Sequence, residues 1–162
     1  MHTVATRHSE DPAQLVERYG NMLFRIALVI MGREPDAEDA VQETLLKYLQ
    51  KAPAFENSEH EKAWLITVVT NQCRDLLRQR QHEAQMPPEG CRSLSIEGPD
   101  GAILEALMAV PEKFRLVLTL YYVEEYSIEQ IADIIQRTPS AVKMRLKKGR
   151  ALLEEIYRKE YL

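Results

Sequence analysis

Apolar residues recur at spacings of three and four along most of this 162-residue chain, the period of helices that bury one face. Leu15, Tyr19, Leu23, Ile26, Ala27 and Ile30 form the first such stripe. Asp11-Pro12 supplies an N-cap and first-turn proline before it, and Gly32 a stop after it. A second helix is predicted from near Asp36, turning Ala37, Ala40, Val41, Leu45 and Tyr48 inward; Asp36, Glu38 and Asp39 sit at its positive end. A third starts at Ser58, where Glu61 three residues on completes a capping-box pattern, and runs to about Arg80. Its packed side carries Trp64, Leu65, Val68, Val69, Gln72 and Leu76; Thr67, Thr70, Asn71, Arg74 and Arg78 fall towards the other.

The periodicity breaks over 81–100, which holds Pro87, Pro88, Gly90, Gly98 and Pro99 and reads as a linker. Beyond it Leu104, Leu107 and Met108 suggest a short helix, and Pro111 can open another that turns Phe114, Leu118 and Tyr121 inward. No strand-like alternation occurs. The predicted class is all-α: two small helical domains, 1–80 and 101–162, joined by a flexible linker, 81–100.

The last quarter is the most specific. Ser127 precedes Gln130 by three residues and the apolar Ile128, Ile131, Ala132 and Ile135 follow, a second capping-box pattern. Thr138-Pro139 then offers an N-cap and a first-turn proline, which places a turn at Gln136–Thr138. The helix after it packs through Val142, Leu146, Gly149 and Leu153 and carries Lys143, Arg145, Lys147, Lys148 and Arg150 with no acidic residue among them. A helix–turn–helix with a densely basic second helix is a common way to enter the DNA major groove. The early residues Ser140, Ala141, Lys143, Met144 and Lys147 are candidates for base or groove contact. Arg145, Lys148 and Arg150 are candidates for phosphates, which position without specifying.

Net charge is −4, low for a DNA-binding protein. The positive charge is concentrated on that one helix, so weak binding alone and a partner supplying further contacts are expected. Cys73 and Cys91 make neither a disulfide framework nor a metal cluster; Cys73 falls on a helix and Cys91 in the linker. No apolar stretch reaches the length of a membrane span and no signal-peptide core precedes the first helix. A cytoplasmic protein without membrane insertion is expected. The histidines are scattered, with no Ser/His/Asp, zinc-ligand or phosphate-loop spacing. Catalytic residues, metals and cofactors are not expected. The polar side of the third helix, with Phe55 and Trp64 near its start, mixes amide, hydroxyl, guanidinium and aromatic groups. Single-stranded DNA recognition uses such a mix; a solvated helix face carries it too.

Three blocks, DAEDAVQETLLK (36–47), FENSEHEKAWLITVVTNQCRDLLR (55–78) and VPEKFRLVLTLYYVEEYSIEQIADIIQRTPSAVKMRLKKGRALL (110–153), resemble the extracytoplasmic-function sigma factors of bacteria, over about residues 12–80 and 101–157. The blocks follow that family's order and approximate spacing. The resemblance implies a promoter-specificity subunit with core RNA polymerase and promoter DNA as partners. Asp36, Asp39, Gln42, Glu43, Leu46 and Lys47 would dock on the β′ clamp helices, and the second domain would meet the β flap. Asn57, Ser58, Lys62, Trp64, Asn71, Arg74 and Arg78 would capture the −10 strand, with Asn71 at a flipped base. The helix from Thr138 to Arg150 would read the −35 element. An anti-sigma factor is a further partner that the family suggests. This chain departs from the pattern in places. Thr67 and Thr70 stand where relatives often have basic residues, and Glu56, Glu59 and Glu61 add negative charge. Thr-Pro-Ser-Ala-Val-Lys-Met-Arg replaces the more usual Ser-x-Gly-Thr-Val-Lys-Ser-Arg, so base preference does not carry over. The competing reading is a stand-alone helix–turn–helix regulator with an N-terminal sensing domain.

Overall fold

The computed structural model describes residues 12–83 and 105–161. Asp11, Cys91, Leu104 and nearly all of the expected linker lie outside them. The described elements are all helical: α1 (Pro12–Met31), α2 (Glu34–Lys51), α3 (Ser58–Glu83), α4 (105–109), α5 (Glu112–Leu118), a π turn (Thr119–Val123), α6 (Ile128–Ile135) and α7 (Pro139–Tyr161).

In the first half, α1, α2 and α3 pack mutually. The expected α1 stripe is buried throughout, and so are Leu28, Val29 and Met31. The run Ile26–Met31 is apolar on every side, and a helix apolar all round needs cover all round. It gets α2 and α3 on one side, α5 and the π turn on another. Gly32 takes a positive φ of 76°, and its N–H donates to the Leu28 carbonyl, closing α1. Thr44 is buried in α2 between Ala40 and Tyr48; its hydroxyl donates to the Ala40 carbonyl at 2.7 Å.

The start of α3 corrects the expected capping box. The Asn57 side-chain oxygen accepts from the His60 N–H at 2.8 Å, so Asn57 is the cap. Glu61 is 3% exposed and turns into the bundle, accepting from the hydroxyls of Tyr19 on α1 and Tyr48 on α2. Thr70 also departs from expectation: it is fully buried rather than on the polar side.

The second half is built on its caps. Ser127 and Gln130 form the reciprocal box at 3.1 and 2.9 Å. Gln136 ends α6 in the left-handed region, φ 57°. The Thr138 hydroxyl accepts from the Ala141 N–H at 3.1 Å. Gly149 is where α7 meets α5: a Cβ there would stand 3.2 Å from Phe114 Cβ and from Leu118 Cδ1. The π turn corrects the expectation for Tyr121. Widening the helix by one residue shifts the phase, so Thr119 and Leu120 face inward while Tyr121, Tyr122 and Val123 are exposed.

The two halves also touch each other. Besides the α1–α5 contact, α3 packs on α6, and one hydrophobic cluster runs from Leu15 to Leu146. Arg115 on α5 donates to the Met108 carbonyl at 3.1 Å and to the Ile30 carbonyl at 3.2 Å, placing a cation at the negative end of α1.

Candidate nucleic-acid interface

On α7 the packed face is Val142, Leu146 and Gly149, with Leu153 half-buried. The opposite face is left to Ser140, Lys143, Met144, Lys147 and Lys148, all exposed, Met144 by 72%. A groove of about 590 Å³ runs between α5 and α7, lined by Lys113, Phe114, Ala141, Met144, Arg145, Lys147, Lys148 and Ala151. The Lys113 and Lys148 ammonium groups lie 5.0 and 5.7 Å from the Phe114 ring. Lys113 comes from a different helix, and no spacing within α7 points to it.

Two expected phosphate ligands sit differently. Arg150 points away from the groove and donates to the Tyr122 hydroxyl at 2.8 Å. It borders a second, apolar groove of about 640 Å³ with Leu107, Tyr122, Val123, Leu153 and Tyr157. Arg145 is half-buried. Burial, with Arg137 and Arg74 nearby, holds its pKa below the ordinary arginine value.

On α3, Trp64 and Thr67 are half-buried and Asn71 and Arg78 exposed, at the spacing of one stripe, with half-buried Arg74 between them. Trp64 joins an aromatic cluster: it lies edge-on to Phe55 at 5.8 Å and to Tyr48 at 6.1 Å, and Phe55 meets His60 at 5.4 Å. These rings fix the loop before α3, where Asn57 is spent on capping and Ser58 is exposed. Lys62 lies with its ammonium 5.4 Å from the Tyr126 ring. Arg78 lies 3.8 Å from the carboxylate of its neighbour Asp75.

On α2, Asp39, Gln42, Glu43 and Leu46 share one exposed stripe. Leu49, 46% exposed, extends it; its spacing of three from Leu46 was the available signal. Asp36 and Lys47 do not belong to this face. Asp36 is 5% exposed, and its carboxylate takes both terminal nitrogens of Arg80, which hold its pKa below the usual carboxylate range. Lys47 donates to Gln72 at 2.7 Å. Both fasten α2 to α3 through charge-assisted hydrogen bonds, which are stronger than neutral ones.

Among the described residues no group of three or more His, Cys, Asp or Glu could hold a metal, and no helix is long and apolar enough to cross a membrane. Cys73 is buried in the first-half core, which pushes its thiol up to about 12.

Residues 15–83 match the family model described as Sigma-70 region 2, and residues 100–153 that described as Sigma-70, region 4. The chain is 28% identical to RNA polymerase sigma factor SigV of Bacillus subtilis, over 99% of its own length and 92% of that protein's. It is also 28% identical to ECF RNA polymerase sigma factor SigM of Mycobacterium tuberculosis, covering 96% and 80%. In three dimensions it resembles the sigma factor RpoE of Bartonella quintana, solved with the anti-sigma factor NepR. The TM-score is 0.74 at 24% identity, over 91% of this chain and 97% of that one.

Proposed function

Because the chain belongs to the extracytoplasmic-function sigma factors of the sigma-70 family, we propose a division of promoter recognition among three of its faces. The outer face of α7 reads the −35 element. The observation that carries this is the paired capping of Ser127 and Thr138, which fixes α6 and α7 so that Lys143, Met144 and Lys147 project together from the first turns of α7. Such a start reaches base edges, while cations flanking it meet phosphates. Lys113 joins Lys148 in the phosphate role across their groove. Arg145 reaches a phosphate once DNA replaces its present surroundings. Arg150 is assigned instead to the rim of the apolar groove.

The stripe Trp64, Thr67, Asn71, Arg74 and Arg78, with Lys62 and the loop before it, captures the −10 strand. Unstacking a base costs about a few kcal/mol, which an amide at the base edge and an aromatic wall must offset. The acidic stripe of α2, extended by Leu46 and Leu49, docks on the polymerase β′ subunit. The apolar groove at Tyr122, Val123 and Leu153 suits an amphipathic segment of the β flap, because its walls are almost wholly apolar and its rim is polar. The SigV and SigM likenesses support polymerase as partner, and the RpoE–NepR likeness supports an anti-sigma partner. The protein performs no chemistry of its own.

Purified protein should assemble with core polymerase and direct run-off transcription from a discrete set of sites on genomic DNA. A stable shift of duplex DNA by the protein alone, with no effect on core polymerase, would favour the stand-alone regulator.

A further inference from the structure

Met144 is the most exposed large apolar side chain among the described residues. It lies in the second turn of α7, on the outer face. Helical spacing sets it in one row with Ala141, three residues before it, and with Lys147 and Lys148, three and four after it. Lys113 and Phe114 of α5 stand across the shared groove. Phe114, Ala141, Met144 and Ala151 make its apolar walls, and the ammonium groups of Lys113, Lys147 and Lys148 its cationic rim. A thioether chain held in water and ringed by cations fits a partner that is anionic at its borders and apolar within. The DNA major groove is such a partner. Phosphates flank it, and the C5-methyl group of thymine is the apolar feature of its floor.

The hydrogen-bonding groups of α7 point to the same base. Lys143, Lys147 and Lys148 can only donate, and donors meet guanine N7 and O6 or thymine O4. No Asn, Gln, Asp or Glu stands between Pro139 and Leu153. Accepting from the amino groups of adenine or cytosine therefore falls to the Ser140 hydroxyl alone. An A·T pair facing the middle of this row is then told apart chiefly by its methyl group.

We propose that Met144 is a specificity-determining residue that packs on the C5-methyl group of a thymine in the −35 element, with the Ala141 methyl beside it. The inference rests on the −35 role given to α7 above and adds the base that this role selects. The unbranched, polarizable thioether can follow a methyl on either strand. Lys113 and Lys148 hold phosphates alongside, which fixes the helix without choosing the base. A cytosine in the same place sets its amino group against the thioether, giving up water for a weak acceptor.

The test uses holoenzyme on a labelled duplex carrying a promoter found by run-off transcription, with −35 occupancy followed by footprinting. Salt is held at about 100 mM, because phosphate contacts make affinity salt-dependent. Each thymine of the −35 element, on either strand, is replaced in turn by deoxyuridine, which removes the methyl and keeps the pairing. In the parent, replacement of one thymine, or of either of two adjacent ones, should weaken −35 binding about fourfold. That is the ~0.8 kcal/mol of one buried carbon, converted at about 1.4 kcal/mol per tenfold. Met144→Ala should bind the thymine duplex at least fourfold less tightly and be indifferent to the same replacement. Met144→Leu, which keeps an apolar chain, should retain the penalty. A parent insensitive to deoxyuridine at every −35 position overturns the proposal, and so does a penalty that persists in Met144→Ala. Failure of the −35 role itself shows separately, as unchanged −35 binding by Lys148→Ala. Where Lys148→Ala weakens binding and no methyl effect appears, the result counts against Met144 alone.

Discussion

Glu61 is the sharpest place to perturb the first half, because three helices meet on its carboxylate. Tyr19 and Tyr48 donate to its two oxygens, and Arg18 stands 3.9 Å away in a half-exposed position. Glu61→Ala removes the carboxylate to which two buried hydroxyls donate. Each hydrogen bond to a charged group contributes about 1.5–3 kcal/mol, and the vacated space adds a cavity term. Desolvating the carboxylate offsets part of this in the parent protein, so the net loss expected is about 3–5 kcal/mol. Glu61→Gln keeps one acceptor oxygen and should lose about 1–2 kcal/mol. Urea unfolding followed by helical circular dichroism and by Trp64 fluorescence measures both, since Trp64 lies one turn along the same helix. The tyrosines supply the control: Tyr19→Phe and Tyr48→Phe should each cost about 1.5–3 kcal/mol in the parent and almost nothing in Glu61→Ala. Loss of less than about 0.5 kcal/mol in Glu61→Ala, or full tyrosine effects persisting in its absence, would refute the reasoning.

Replacing Asp39 and Glu43 by Lys should abolish assembly with core polymerase without changing helicity, a shift of about 2–5 kcal/mol for each pair that is desolvated on docking; undiminished assembly removes this stripe from the docking surface. Lys148→Ala should weaken −35 binding about equally on all sequences and lower the salt slope by about 1, whereas Lys143→Ala should change which sequences win in a promoter library. Equal scaling by both variants would sink the distinction. Asp36 has a folded pKa below its usual value of 3.8, so its contribution is present above that value and drains away as pH falls through it. Unfolding midpoints of the parent should therefore drop more steeply below about pH 4 than those of Asp36→Asn; parallel curves would show that the Arg80 pairing adds nothing.

Local signals in the sequence hold where local physics decides. Ser127-Gln130 and Thr138-Pro139 form their caps because the partners lie within one turn. The α1 stripe holds because a single face meets α2 and α3. Ser58–Glu61 carries the same local pattern as Ser127–Gln130, yet Tyr19, 42 residues away, and Tyr48, 13 residues away, draw the carboxylate inward. Asp36 reads as a dipole-favoured surface acid until Arg80 arrives from α3. Tyr121 follows the helical period from Phe114, and only the π turn moves it out. The stripe reading placed only Ile26, Ala27 and Ile30 inward; Leu28, Val29 and Met31 are buried as well, under cover that no local spacing specifies. That cover is the other half of the chain, and the Glu124–Arg25 and Glu112–Arg74 contacts that accompany it have no signature at any fixed sequence spacing.

The central claim is that major-groove reading and strand capture reside on separate helices, and one measurement separates them. Holoenzymes carrying Asn71→Ala or Lys143→Ala are assembled on a promoter found by run-off transcription, and duplex −35 occupancy and permanganate reactivity of the −10 region are read in parallel. Asn71 is exposed on α3 and Lys143 on α7, so neither substitution disturbs the core. Asn71→Ala should keep −35 occupancy while melted thymines disappear. Lys143→Ala should lose occupancy on that promoter but melt it normally once saturated. Normal melting by Asn71→Ala, or a melting defect in Lys143→Ala at full occupancy, would contradict the separation of the two roles.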